Sequence, residues 1–147
     1  PPIVPAIGLG AAIDYLERIG LESIAAHEQL LTRRAIETLS AIEGVRILGP
    51  SLNRIQDPRT TDNEQRTPSH AGIVSFVVDG IHAHDVAQLL DRHGIAIRAG
   101  HHCAMPLHKR LGINATSRAS FYFYNTPAEI DAMGEALRDA KKIFRRG

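Results

Sequence analysis

The chain has 147 residues and a mass of 16.1 kDa, the size of one domain, and its 44% apolar content suits a packed core rather than a disordered chain. Seventeen basic against 16 acidic residues leave a net charge of +1, which offers no strong field to nucleic acid or a membrane surface. No apolar run approaches the ~20 residues of a membrane span and no leader is expected; with four Phe, three Tyr and no Trp, a base-stacking surface is not expected either.

Pro5 fits an opening helical turn, and Leu9, Ile13 and Leu16 fall on one helix face. Gly20 separates them from a second stripe, Ile24, Leu31, Ala35 and Ile42, which predicts a helix from about Leu21 to Glu43 with Gly44 as its C-cap. Val45 to Leu48 reads as a short strand closed by Gly49-Pro50. From Ser51 to Ala71 the composition turns polar, with only Leu52 and Ile55 as sizeable apolar residues. A structureless stretch of that length is functional or mobile, and a mobile insertion is the expectation.

Gly72 to Val78 is the clearest strand, turned by Asp79-Gly80. His84-Asp85 opens a helix with Val86, Leu89 and Leu90 inward, ending near His93-Gly94. Ile95-Ala96-Ile97 reads as a short strand running into Arg98 to Cys103, and a turn of helix follows Pro106, capped by Gly112. Ser117 to Tyr124 alternates as a strand. Thr126-Pro127-Ala128-Glu129 then combines an N-cap, a proline at the first helical position and a glutamate at the third. The last helix carries Ile130, Met133, Leu137, Ala140 and Phe144 along one face. Four short strands and four longer helices predict an α+β fold, a small sheet packed against helices in a single domain over 1–147.

The chemistry concentrates in Arg98-Ala99-Gly100-His101-His102-Cys103-Ala104-Met105-Pro106. Cys103 is the one cysteine, so no intrachain disulfide can form and nothing suggests an oxidising compartment. A thiol reacts as its thiolate, which Arg98 and a protonated His101 or His102 would favour, and Gly100 would let the loop swing the sulfur toward a substrate. The plainer alternative is a small buried hydrophobe, the usual fate of a free cysteine. A metal is the third reading, since His82, His84, His101, His102 and Cys103 are of kinds zinc accepts. Adjacent strand residues point to opposite faces and no paired Cys-x-x-Cys spacing occurs, so no metal is expected.

With these residues in view, Gly94 to Thr126 resembles the C-terminal end of the class V, fold-type I pyridoxal-phosphate enzymes. Within them it is similar to the SufS-like, group II cysteine desulfurases and selenocysteine lyases, whose Arg-x-Gly-His-His-Cys-Ala motif matches Arg98 to Ala104. Ile7 to Ala12, Gly72 to Phe76, Arg118-Ala119-Ser120 and Tyr124-Asn125-Thr126 match as well, so only Leu52 to His70 falls outside the resemblance. It implies a mostly antiparallel sheet and a C-terminal small domain of a longer, usually homodimeric, cytoplasmic enzyme. It also implies pyridoxal 5'-phosphate as cofactor, an electron sink that weakens the C–S bond of L-cysteine.

The resemblance assigns roles residue by residue. Cys103 would take the substrate sulfur as a persulfide, leaving alanine, for Fe–S cluster or other sulfur-transfer biosynthesis. Arg118 would grip the substrate carboxylate through paired hydrogen bonds; without the family match it reads as a surface arginine. Arg98 would order the site or bind substrate with it, and His101 and His102 would assist proton transfer or tune the thiol. His84 matches a histidine of members that pair with a zinc-bearing, SufU-like acceptor, or is simply a residue at a helix start; the acceptor itself would be SufU-like or SufE-like. The three lysines, Lys109, Lys141 and Lys142, do not match the cofactor lysine of the family. Cofactor-binding residues are therefore expected outside these 147 residues, which would be inactive alone. Alternatives are an L-selenocysteine lyase, another class V lyase or epimerase, and a persulfide carrier or docking module.

Overall fold

The computed structural model describes residues 1–49 and 72–144. The polar stretch 51–71 lies outside the described residues, as do Arg145 and Arg146 of the basic tail. Two helices, α1 (Ile3–Ile19) and α2 (Leu21–Ser40), lead into β1 (Val45–Leu48). There follow β2 (Ile73–Val78), α3 (Ala83–Asp91), β3 (Arg98–Gly100), α4 (Met105–Leu111), β4 (Thr116–Ser120) and α5 (Pro127–Phe144). The four strands form one antiparallel sheet in the order β1-β2-β4-β3. This is the expected α+β architecture.

Alternation decides which face the helices cover. In β2, Val74, Phe76 and Val78 are buried while Ile73, Ser75 and Val77 are not, as a strand with one packed face requires. Ala119 of β4 joins the buried side, and Leu31, Ala35 and Leu39 of α2, Val86 and Leu90 of α3, and Ile130, Met133 and Leu137 of α5 complete the core. Each fully buried Leu, Ile or Phe contributes about 1.5–3 kcal/mol relative to exposure. The other face carries Ser75, Arg98, Thr116 and Arg118, brought into line by the pairings Ser75↔Arg118, Arg98↔Arg118 and Gly100↔Thr116.

Local signals set most element ends. Thr126 and Glu129 form the predicted capping box: the Thr126 N–H donates to Glu129 Oε2 at 2.7 Å, and the Glu129 N–H donates to Thr126 Oγ1 at 3.4 Å. Gly112 closes α4 in the left-handed region, with φ 66°. The N-cap of α3 is His82, whose Nδ1 accepts the His84 N–H at 3.3 Å, so this helix begins a residue earlier than expected.

Four readings need correction. α2 ends at Ser40 with Ala41, not Gly44, as its C-cap, the Ala41 N–H donating to the Glu37 carbonyl. The strand expected at Ile95–Ile97 lies instead at Arg98–Gly100, because the Ile95 N–H is committed to the Leu90 carbonyl at the end of α3. The strand expected to run from Ser117 to Tyr124 starts at Thr116 and ends at Ser120. Beyond it the Asn125 side chain takes the Tyr122 N–H at 2.9 Å and the Asn125 N–H returns to the Tyr122 carbonyl, a local turn that outcompetes the ladder. The stripe Leu9, Ile13, Leu16 is helical, but among the described residues α1 buries no side chain.

Candidate active site

β3 delivers the chain to a turn built against type. Gly100 has φ 132°, and the Ala104 N–H closes the turn by donating to the His101 carbonyl at 2.8 Å. Its two central residues, His102 (φ 51°) and Cys103 (φ 60°), both lie in the left-handed region, the pattern of a type I′ turn. That turn suits Gly and Asn; a side chain there costs about 1–2 kcal/mol per residue. Such strain persists where surrounding contacts over-determine it, and it collects at functional positions. Here it leaves Cys103 exposed, not buried in a core.

Contacts from α4 and β4 hold the turn. His102 Nε2–H donates to the Thr116 carbonyl at 3.1 Å. His108 Nδ1–H donates to the Ala104 carbonyl at 3.0 Å, and its Nε2 meets Thr116 Oγ1 at 3.2 Å. Thr116 Oγ1 also approaches the Gly100 carbonyl at 3.5 Å. His108 and Thr116 are both buried. Neither stood out in the sequence as a site residue, and the inward spacing of His108 on the helix after the thiol was the available signal.

Beside the turn, Arg98 and Arg118 face each other across the β3–β4 ladder. Like charges directly opposite are unfavourable in a sheet, and the pair is suited to an anion lying between them. Arg118 is half-buried, and its Nε is a buried donor without a hydrogen-bond partner among the described residues. A carboxylate would satisfy it with the fork geometry arginine offers. Both charges reach His102. Burial first, then the positive charges of Arg118, Arg98 and His108, hold its imidazole below the ordinary value against the opposing Thr116 carbonyl. The carbonyl partner makes Nε2 the donor nitrogen of His102, and its Nδ1 is buried and without a partner among the described residues.

The remaining predicted histidines share one basin. His84 is exposed and stacks on His82 with ring centroids 5.3 Å apart. His101, also exposed, meets His108 edge-on at 5.6 Å. An open basin of about 620 Å³ is lined by His82, His84, His101, His108 and Lys109. Among the described residues no three His, Cys, Asp or Glu side chains converge to hold a metal ion. The lysines sit apart from the arginine pair along the chain. Lys109 is exposed on α4, Lys141 lies beside Gly44, and Lys142 pairs with Asp139 at 2.7 Å.

Comparison with known proteins identifies the family. The aminotransferase class-V family profile matches residues 1–133. A protein of Streptomyces coelicolor named probable cysteine desulfurase is 48% identical over 144 residues, covering 98% of this chain and 31% of that protein. One of the same name from Halalkalibacterium halodurans is 47% identical with the same coverage. Among solved structures, the apo cysteine desulfurase of Thermococcus onnurineus superposes with a TM-score of 0.82 at 44% identity, covering 97% of this chain and 32% of that one. The cysteine desulfurase CsdA of Escherichia coli, in an S-sulfonic acid form, gives 0.78 at 31% identity, covering 97% and 31%. The chain thus spans about a third of the length of the relatives it matches. By its fold and by the match over residues 1–133, the chain belongs to the class-V aminotransferase family.

Proposed function

We propose that this chain is the C-terminal small domain of a SufS-like cysteine desulfurase, and that Cys103 is its sulfur-accepting nucleophile. The observation that carries the reading is an exposed thiol on a strained turn, next to an arginine pair whose buried Nε lacks a partner. Relatives named cysteine desulfurase support it. Arg118, assisted by Arg98, binds the carboxylate of L-cysteine. The Cys103 thiolate attacks the substrate sulfur, an S–S bond forms as the substrate C–S bond breaks, and protonation at carbon gives L-alanine. No external oxidant or reductant is required.

Pyridoxal 5'-phosphate supplies the electron sink for C–S cleavage in such an enzyme. The residues of this chain do not fit it: Lys109 is exposed, Lys142 is paired with Asp139, and Lys141 lies by Gly44. The cofactor is then held by the rest of a longer, homodimeric, cytoplasmic protein, and these 147 residues alone are inactive. In the intact protein with pyridoxal phosphate and a thiol reductant that releases the persulfide as sulfide, Cys103→Ser should abolish alanine and sulfide formation from L-cysteine. Turnover of L-selenocysteine should persist, because selenide leaves without an attacking thiol. Undiminished cysteine turnover in Cys103→Ser would refute the assignment.

The sulfur then passes to an acceptor protein for Fe–S or related biosynthesis. We assign His84 as a docking residue for a zinc-bearing, SufU-like acceptor, since it is exposed on the basin it shares with His101. Adding such an acceptor should stimulate wild type and leave His84→Ala unstimulated; equal stimulation of both sinks this assignment.

A further inference from the structure

We infer that His108 is a positioning residue that locks the Cys103 turn in its strained conformation. The turn has side chains at two left-handed positions, His102 and Cys103, and it would relax unless both its ends were fixed. Its entrance is fixed from β4: the Thr116 carbonyl accepts His102 Nε2–H at 3.1 Å. Its exit depends on His108. The Ala104 carbonyl takes His108 Nδ1–H at 3.0 Å, and His108 Nε2 reaches Thr116 Oγ1 at 3.2 Å. Thr116 is therefore the common anchor, and His108 is the side chain that ties the residue after the thiol to it.

Ordinary packing does not explain this residue. Only four polar residues are buried among those described, and two of them, His108 and Thr116, bond each other under the turn. An apolar side chain of similar length would fill the same space and avoid the desolvation of an imidazole. It would make neither bond. With both ring nitrogens engaged by the turn and its anchor, the histidine contributes direction rather than volume. A thiol kept in one orientation relative to the Arg98–Arg118 pair has a high effective concentration at a bound substrate's sulfur. That consequence for turnover rests on the desulfurase reading; the ordering of the turn does not.

The test compares His108→Met, which keeps the bulk and loses both bonds, with His108→Gln, whose amide can retain the Thr116 link. Amide hydrogen exchange over residues 99–107 of the intact protein reads the turn directly. His108→Met should speed exchange of the Ala104 amide by about tenfold or more, and His108→Gln should recover most of the protection. In the cysteine assay, His108→Met should lower kcat by about tenfold with KM little changed, because the arginine pair is untouched. If His108→Met does not fold, Thr116→Val removes the anchoring hydroxyl at nearly constant volume and should loosen the turn in the same way. Wild-type exchange in these variants overturns the inference, as does an equal loss in Met and Gln. Loosened exchange without any cysteine turnover in the wild type would leave the positioning role standing and remove the desulfurase reading.

Discussion

His102 is the residue whose protonation is most constrained. Its ring donates from Nε2 to the Thr116 carbonyl, and burial and neighbouring positive charge hold its pKa below the ordinary imidazole value of about 6.5. The unfolded chain therefore binds the proton first as pH falls. The stability that the uncharged ring contributes is complete above about pH 6.5 and is lost as pH drops from there toward the folded value. Thermal melts between pH 7.5 and 5.5 should show a smaller loss of Tm in His102→Gln than in wild type; parallel curves would contradict this. At this scale the sequence singled out residues that the fold brings near one another: Arg98 on β3, Arg118 on β4, and His101, His102 and Cys103 in the turn between β3 and α4. It could not reveal Thr116, because an anchoring hydroxyl looks like any strand threonine until the turn it supports is folded.

Among the helices, α1 alone buries no side chain among the described residues. α2 and α5 hold the core, and Leu31 and Leu137 are fully buried. In α1, Ile3, Val4, Ile7 and Leu9 remain more than 60% exposed, so that helix adds little to the stability of these residues. In the 147-residue chain, Leu31→Ala should cost about 2–5 kcal/mol in denaturant unfolding. Ile7→Gln, a conservative change in helix propensity, should stay within about 0.5 kcal/mol of wild type. A loss at Ile7 as large as at Leu31 would mean that α1 packs on the core after all. Apolar periodicity identified α1 as a helix but could not say what covers it, since a stripe has the same spacing whether it meets this core or another surface. The capping box of α5 was legible for the opposite reason. Its partners lie three residues apart, and no distant contact is needed to form it.

For the whole molecule, the order of elements followed from local pattern while the pairing order β1-β2-β4-β3 did not. β3 has three residues and no alternation of its own; its place is fixed by β4, through Arg98↔Arg118 and Gly100↔Thr116. The same pairing sets the two arginines opposite each other and anchors the thiol turn to Thr116. Sheet topology thus builds the site from residues 20 apart in sequence. On the proposed reading, the thiol, the arginine pair and the ordered turn form the receiving end of a sulfur transfer; the relatives that the chain matches are about three times its length.

The central claim is that Cys103 receives the sulfur atom. The most direct measurement is to mix the intact protein, loaded with pyridoxal phosphate, with one equivalent of L-cysteine, quench, and map the peptide carrying Cys103 by mass spectrometry. If Cys103 receives the sulfur, this peptide gains one sulfur atom, released by reductant, in amounts matching the L-alanine formed. Alanine formation with Cys103 unmodified throughout the turnover would contradict it.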